Sequence, residues 1–241
     1  MAGAGVFALW QNTLYTEIAG YRTADGALSF LRAGTDKSQD AVLRGTAPYW
    51  RVALQRTWAD GRHSAMLGTF GLDARKFPDS VDPTGPTDRF TDVGFDAQYQ
   101  YITDRHRFSA QASFIDERQH LDASFASGAA NNRFNRLHAV KAKATYYFDA
   151  KYGATIGYFD TGGDTDATLY ATGSPVTGSV LGSPRTNGFV FEANWLPRRD
   201  LRLTLQYTAY QRFNGARSDY DGFGRNASDN NTLLLLAWLM F

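Results

Sequence analysis

The side chains that could carry out chemistry are few in this chain. It has four histidines, no cysteine, and neither a Gly-x-Ser-x-Gly element nor a phosphate-binding glycine loop. Histidine metal ligands recur at short, fixed spacings because they must converge on one ion. His63, His106, His120 and His138 show no such spacing, so we interpret them as surface residues. These observations predict a protein that is not an enzyme and has no catalytic residues, metal or cofactor.

Two acidic segments could offer oxygen ligands to a calcium ion. They are residues 79–82 and 160–166. Neither fits the spacing of the helix–loop–helix calcium site. Aspartate is common in turns because its carboxylate accepts backbone hydrogen bonds, and turns explain both segments.

The composition describes one folded unit without a polyanion-binding surface. The chain has 241 residues and a formal net charge of +1, with Lys and Arg spread along it. We therefore expect a single domain, 1–241, and no nucleic-acid partner. The longest apolar run, 233–241, is far shorter than the ~18 residues of a transmembrane helix. No segment resembles a secretory signal, so an exported protein would have lost one.

Hydrophobic residues alternate with polar ones over most of the chain. The pattern is clearest in 93–101 and 201–209. In both segments every second residue is apolar, and the residues between them include Asp, Gln, Arg and Thr. Strict alternation indicates β-strands with one apolar and one polar face. Ten strands are predicted: 7–21, 50–58, 64–73, 93–101, 108–114, 140–148, 152–158, 189–195, 201–209 and 232–241.

The connections between these strands alternate between short and long. Tight polar turns are predicted at 60–61, 104–105, 149–150 and 197–199, and long loops at 22–46, 74–89, 118–136, 161–185 and 213–231. This order is typical of a transmembrane, antiparallel, up-and-down β-barrel with short periplasmic turns and long extracellular loops. Ten strands would place both chain ends on the periplasmic side and pair the first strand with the last. A soluble β-sandwich is the disfavoured alternative, since its loops would not sort by length.

The assumed strand directions assign charged and aromatic side chains to opposite faces. Five basic and five acidic residues are predicted to face the lumen and to line a pore: Glu17, Arg51, Asp92, Asp96, Glu117, Lys141, Lys143, Glu192, Arg202 and Arg212. A girdle at the membrane interfaces is predicted from Trp50, Trp58, Tyr101, Phe108, Phe148, Tyr152 and Trp195.

Several stretches resemble known outer-membrane proteins. The ending Leu235, Ala237, Leu239 and Phe241 resembles the C-terminal signal that the barrel-assembly machinery recognises, with Phe241 as the assembly residue. Residues 12–15, 21–26, 94–101 and 220–224 resemble proteobacterial outer-membrane proteins described as cytochrome c-like. That family carries a Cys-x-x-Cys-His haem site and additional strands, which are absent here, so the resemblance covers its C-terminal barrel part and implies no haem.

Two functions remain open at this point. The first is a porin-like passage for ions or small solutes across the bacterial outer membrane, with the lipid bilayer and the assembly machinery as partners. The second is a closed, non-conducting barrel whose loops bind a partner, or a part of a larger barrel of the porin-cytochrome type. An outer-membrane protease is a weak third interpretation, since Glu117, His120 and Asp122 lie near the outer rim without a matching motif.

Overall fold

A computed structural model describes residues 1–25, 29 and 42–240. The chain forms one antiparallel sheet in which eleven strands follow each other in sequence order. The strands are β1 Ala2–Trp10, β2 Leu14–Arg22, β3 Ala47–Trp58, β4 His63–Lys76, β5 Asp88–Ile102, β6 His106–His120, β7 Phe134–Phe148, β8 Tyr152–Gly163, β9 Thr186–Arg198, β10 Leu201–Arg212 and β11 Thr232–Leu239. A short helix, α1 Asp122–Ala126, and a 3₁₀ turn, Ala227–Asn230, lie in the loops. No helix in the described ranges is both long and apolar enough to cross a membrane.

The prediction of one N-terminal strand over 7–21 is wrong. Gln11 and Asn12 have φ angles of 49° and 51°, and they reverse the chain between β1 and β2. Consecutive left-handed residues form the tight turn that matches the twist of a hairpin. The turn residues Gln11, Asn12 and Thr13 include no glycine or proline, so the sequence does not mark a break in this segment. The described residues therefore form eleven strands instead of ten.

The additional strand changes the direction in which the chain enters the sheet. β1 runs from the end of the sheet that carries the long loops to the end that carries the short turns, and β11 runs the same way. The expected placement of both ends on the short-turn side is therefore wrong for β1. In the described part of the chain β1 pairs only with β2 and β11 only with β10, so the expected pairing of first and last strands is not found.

The alternation of short and long connections is confirmed. Strands are joined by the short turns 11–13, 59–62, 103–105, 149–151 and 199–200, and by the long connections 77–87, 121–133, 164–185 and 213–231. Most of the predicted loop 22–46 lies outside the described residues. All short turns lie at one end of the sheet, because the strands alternate in direction.

Three of the long loops are bonded to one another by buried carboxylates. Asp166 is 2% exposed and accepts hydrogen bonds from the backbone N–H groups of Asn131 (2.9 Å) and Asn132 (2.8 Å) in the preceding loop. Asp221 is fully buried and accepts one from Val176 N–H at 2.9 Å. We call the loops 121–133, 164–185 and 213–231 the loop platform. Its carboxylates join segments that are distant in sequence, so the platform is a packed structure.

The ring of Tyr220 completes the packing of the loop platform. Tyr220 is fully buried, and its ring centroid lies 4.9 Å from that of Phe213. Its carbonyl accepts a hydrogen bond of 2.8 Å from Val180 N–H. Among the described residues, Tyr220, Asp166 and Asp221 are the largest fully buried side chains, so the tightest packing lies in the loops and not in the sheet.

The turn between β7 and β8 offers a test of the hairpin geometry. Asp149 and Ala150 have φ angles of 51° and 52°, a conformation in which a Cβ costs energy. We expect Ala150→Gly to raise the free energy of unfolding by about 0.5 to 1 kcal/mol. Ala154→Gly, in the extended backbone of β8, should lower it by a similar amount. Denaturant titration measures both, and equal effects would contradict this turn.

The buried carboxylates make the loop platform sensitive to acid. Burial raises the pKa of Asp166 and of Asp221, but backbone N–H donors outweigh it, and both lie below the ordinary value of 3.8. A carboxyl group whose pKa is lower in the folded than in the unfolded state contributes its full stabilisation at a pH above its unfolded-state pKa. This contribution is lost as the pH falls through the folded-state pKa. The platform should therefore resist protease at neutral pH and open below about pH 3.8.

Limited pepsin digestion between pH 5 and about pH 2 tests this, with cleavage sites mapped by mass spectrometry. Wild-type protein should acquire cuts within 164–185 and 213–231 only at the acidic end. Asp221→Asn weakens the charge-assisted bonds and should be cut at higher pH. Equal resistance of both proteins throughout the range would show that these carboxylates do not hold the loops.

Candidate functional site

The sheet register places nine of the ten predicted pore-lining residues on one face. Glu17 and Arg51 are cross-strand partners, Asp92 pairs with Glu117, and Asp96 belongs to the same row as Lys141. Alternate residues of a strand point to opposite faces, and register partners on neighbouring strands point to the same face. The pairing register therefore shows which residues share a face throughout the sheet. The nine are Glu17, Arg51, Asp92, Asp96, Glu117, Lys141, Lys143, Glu192 and Arg202.

The tenth residue, Arg212, departs from this face. The β9–β10 register shifts between Tyr210, which pairs with Gly188, and Arg212, which pairs with Asn187. Asn187 pairs in turn with Asp160. Asp160 is adjacent in sequence to Phe159, whose side chain lines the cavity on the charged face, so Asp160 points to the opposite face. A β-bulge changes which face the following residues occupy, and a sequence pattern does not reveal it.

The face that carries these charges borders a cavity. We call this face the concave face and the opposite one the convex face. The cavity has a volume of about 820 Å³ and is lined by side chains from β3 through β10, among them Arg51 at one side and Thr208 at the other. The space is large enough for hydrated ions or a small solute. We call it the central cavity.

Arg51 and Asp96 form an ion pair across an intervening strand. Arg51 Nη2 donates to Asp96 Oδ1 at 2.9 Å, and Nη1 donates to Asp96 Oδ2. Both side chains are 17% exposed. The pair passes over Gly68 on β4, where a Cβ would lie 2.9 Å from Asp96 Oδ1. A glycine at this position therefore leaves room for a bidentate interaction between β3 and β5.

The lysines of the central cavity are not neutralised in this way. Lys141 and Lys143 are exposed, line the cavity and form no ion pair with any described residue. Glu192 also lines the cavity and is without an ion-pair partner in the same ranges. Since Arg51 and Asp96 cancel each other, two positive charges face one negative charge. The predicted balance of signs thus leaves a small positive excess in the cavity.

The convex face carries a band without charge. On β5, Val93, Phe95, Ala97, Tyr99 and Tyr101 share this face, and Val93 and Phe95 are well exposed. The same parity is apolar over residues 108–114, 140–148, 152–158 and 189–195. Arg56, two residues from the end of β3, is the exception among the described strands. Exposed apolar surface of this extent marks contact with another apolar phase or molecule.

Rings and charges border the two edges of this band. The seven predicted girdle residues all share the convex face. All of them except Trp50 lie near the short turns. There, the ring of Trp58 stacks on that of His63 with centroids 5.3 Å apart. Towards the loops the band ends at ion pairs on the same face: Asp73 with Arg89 (2.8 Å), Asp116 with Arg136 (2.5 Å) and Asp160 with Arg185 (3.1 Å). The band therefore has a defined height.

The residues considered for catalysis do not form a site. Glu117 faces the concave side, His120 packs edge-on against Phe134 with centroids 4.9 Å apart, and Asp122 is paired with Arg133 at 2.5 Å. In the part of the chain that is described, no three His, Asp or Glu side chains converge as metal ligands.

One aspartate of each acidic segment uses its carboxylate for a turn, whereas Asp160 lies in β8 and pairs with Arg185. Asp79 accepts Val81 N–H at 2.7 Å, and Asp166 accepts Thr168 N–H at 3.0 Å. The turn interpretation is confirmed for these two residues. The role of Asp166 between loops was not predicted, because its donors lie 34 and 35 residues away in sequence.

The edge strands depart from the polar character of the concave face. Phe7 and Leu9 on β1, and Leu234, Leu236 and Trp238 on β11, share this face and are exposed. β1 at one edge of the sheet and β11 at the other therefore both carry apolar side chains on this face. Phe241, the predicted assembly signal, lies outside the described residues.

Comparison with protein-family models, curated proteins and solved structures finds no match to this chain.

The Arg51 and Asp96 pair can be measured by a double-mutant cycle. We expect Arg51→Gln and Asp96→Asn to show a coupling free energy of about 1 to 3 kcal/mol in unfolding experiments, because the pair is bidentate and largely shielded. The same cycle on the exposed pair Arg198 and Asp200 (66% and 46% exposed) should give a coupling near zero. Coupling no larger at Arg51 and Asp96 than at this control pair would mean that the two side chains do not hold each other.

Proposed function

We propose that this protein is a bacterial outer-membrane β-barrel component that provides a porin-like passage for ions or small solutes. The observation that carries the proposal is the two-faced sheet. Its convex side has an uncharged apolar band between aromatic rings and ion pairs, and its concave side has charges around a cavity of about 820 Å³. Lipid requires the first face, and a polar passage requires the second.

The height of the band fits the hydrocarbon layer. On the convex face, the uncharged part of β5 runs from Val93 to Tyr101, which corresponds to about 27 Å along the strand. At the usual tilt of about 40° this gives about 20 Å along the barrel axis, close to the ~25 Å apolar band of outer-membrane barrels. Rings such as Trp58 and Trp195 then lie at the headgroup level on the short-turn side, which would be periplasmic.

A barrel in lipid must also satisfy the open edges of β1 and β11. Unpaired backbone groups cannot be exposed to hydrocarbon, so both edges need strand partners in the membrane. Direct closure of the eleven strands would pair β1 and β11 in parallel, because both run from the loops to the turns. Membership in a larger barrel, as the resemblance to cytochrome c-like outer-membrane proteins suggests, would supply antiparallel partners instead.

Binding by the loops is a second candidate function. It is supported by the loop platform, whose carboxylates and Tyr220 are almost completely buried. An ordered surface loses less entropy on binding than mobile loops do. In this alternative the barrel is closed to solutes and presents the platform to a partner.

Planar-bilayer recording of the full chain separates the two functions. The passage predicts discrete conductance steps, and their complete absence would favour loop-mediated binding. In a salt gradient we expect Lys143→Gln to shift the reversal potential towards cation preference, because it removes an unpaired charge of the central cavity. Asp73→Asn, on the convex face, serves as the matched control and should leave selectivity unchanged.

A further inference from the structure

One positive charge lies inside the apolar band of the convex face. Arg56 on β3 is exposed and forms no ion pair with a described residue. Its register partner is Ala65, and the same row continues through Tyr99 to Ala110, all of them on the convex face. An unpaired charge at hydrocarbon depth is costly, and the long stem of arginine lets the guanidinium reach the nearer headgroup layer. The band therefore presents one cation that the described part of the chain does not neutralise.

A second cavity lies on the convex face beside this arginine. It has a volume of about 670 Å³, and Ala65, the register partner of Arg56, is among the residues that line it. Its lining side chains come from two neighbouring rows of the convex face, one through Leu67 and the other through Tyr99. The concave-face residues that border it occupy the positions between these two rows, so they contribute backbone atoms. We call this cavity the convex groove.

Alanines form the floor of the convex groove, and larger side chains form its walls. Leu67 on β4 and Ile156 on β8 are wall residues, and both are well exposed. The floor lies on β5, β6 and β7 and consists of Ala97, Ala110, Ala112, Ala142 and Ala144. Three strands at the usual spacing make this floor about 10 Å wide. The apolar band is therefore indented where its shortest side chains meet.

The convex groove is apolar throughout. Among its convex-face lining residues, the only polar side-chain atoms are the hydroxyl groups of Tyr99 and Tyr158. The Tyr99 hydroxyl lies 2.8 Å from His63 Nδ1, and the Tyr158 hydroxyl donates to Asp160 Oδ2 at 3.2 Å. Both hydroxyl groups are thus engaged by neighbouring side chains. The groove suits a ligand that brings no hydrogen-bonding group of its own to this depth.

We propose that the convex groove holds an acyl chain of an anionic phospholipid whose phosphate is bound by Arg56. The inference rests on the membrane location in the proposed function and not on conduction. Arginine binds phosphate through paired N–H donors, and a lipid with a net negative charge compensates the unpaired cation. Arg56 lies two residues from the end of β3, so the phosphate would lie on the short-turn side, near Trp58. The acyl chain would extend from there over the alanines.

Other occupants fit the convex groove less well. A two-fold contact joins the same patch of two copies, so two depressions would face each other and their floors would not touch. Such a contact would also place two unpaired Arg56 side chains in one interface without a counter-ion. A transmembrane helix with its side chains is about 10 to 12 Å across, which exceeds the width of the floor. A flexible acyl chain has neither difficulty.

Native mass spectrometry of the full chain in detergent, with phosphatidylglycerol or phosphatidylcholine added, tests the site. Wild-type protein should retain one phosphatidylglycerol, in preference to phosphatidylcholine by about fivefold, the effect of one arginine at an anionic membrane surface. Arg56→Gln should lose this preference. Arg107→Gln, at the same end of the sheet but on the concave face, is the matched control and should keep it.

A second pair of variants tests the convex groove itself. Ala112→Phe places a ring on the floor and should reduce retention of phosphatidylglycerol. Ala8→Phe adds the same ring to the convex face of β1, away from the groove, and should not. Circular dichroism checks that all four variants keep their strand content.

The proposal is overturned if wild-type protein retains both lipids equally, or if Arg56→Gln keeps the preference. A protein dimer that replaces the lipid adduct and is lost in Ala112→Phe would overturn it in favour of a second copy. Flotation with vesicles separates these results from a failure of the proposed function. A chain that enters vesicles of neither lipid lacks the membrane location, whereas one that enters both without retaining phosphatidylglycerol lacks only this site.

Discussion

Backbone pairing in a nearly unbroken register is the constraint on which the rest of this structure depends. Each of the ten strand pairs is antiparallel, and a slip by one residue would move every side chain of a strand to the other face. Charges such as Lys141 would then enter the apolar band, and rings such as Phe95 would enter the central cavity. The alternation of side chains thus fixes the register, and the register in turn keeps the two faces apart over the whole sheet.

This constraint also explains why charges occupy three distinct settings. On the concave face Arg51 and Asp96 neutralise each other, whereas Lys141 and Lys143 have no ion-pair partner among the described residues. On the convex face, ion pairs such as Asp116 with Arg136 lie towards the loops, beyond the apolar band. In the loops, Asp166 and Asp221 bind backbone N–H groups instead of cations. Charged side chains therefore line the cavity, border the apolar band or pack the loops according to their height and face.

Much of the sheet could be predicted from the sequence, because period-two patterning is local. Strands such as β5 and β10, their faces and the short turns follow from alternation and turn residues alone. The hairpin at Gln11 and Asn12 was missed because its turn contains no glycine or proline. The face of Arg212 was missed because a bulge inserts a residue without a sequence signal. The roles of Asp166 and Tyr220 depend on contacts between distant loops, which no local pattern contains.

The count of eleven strands has a geometric consequence for the two free edges. β1 and β11 run in the same direction, from the end of the sheet with the long loops to the end with the short turns. An antiparallel neighbour of either edge must therefore run the opposite way, from turns to loops, so both edges require the same kind of neighbour. One such strand, or any odd number of alternating strands, can bridge the opening with antiparallel hydrogen bonds throughout, whereas an even number always leaves one parallel seam.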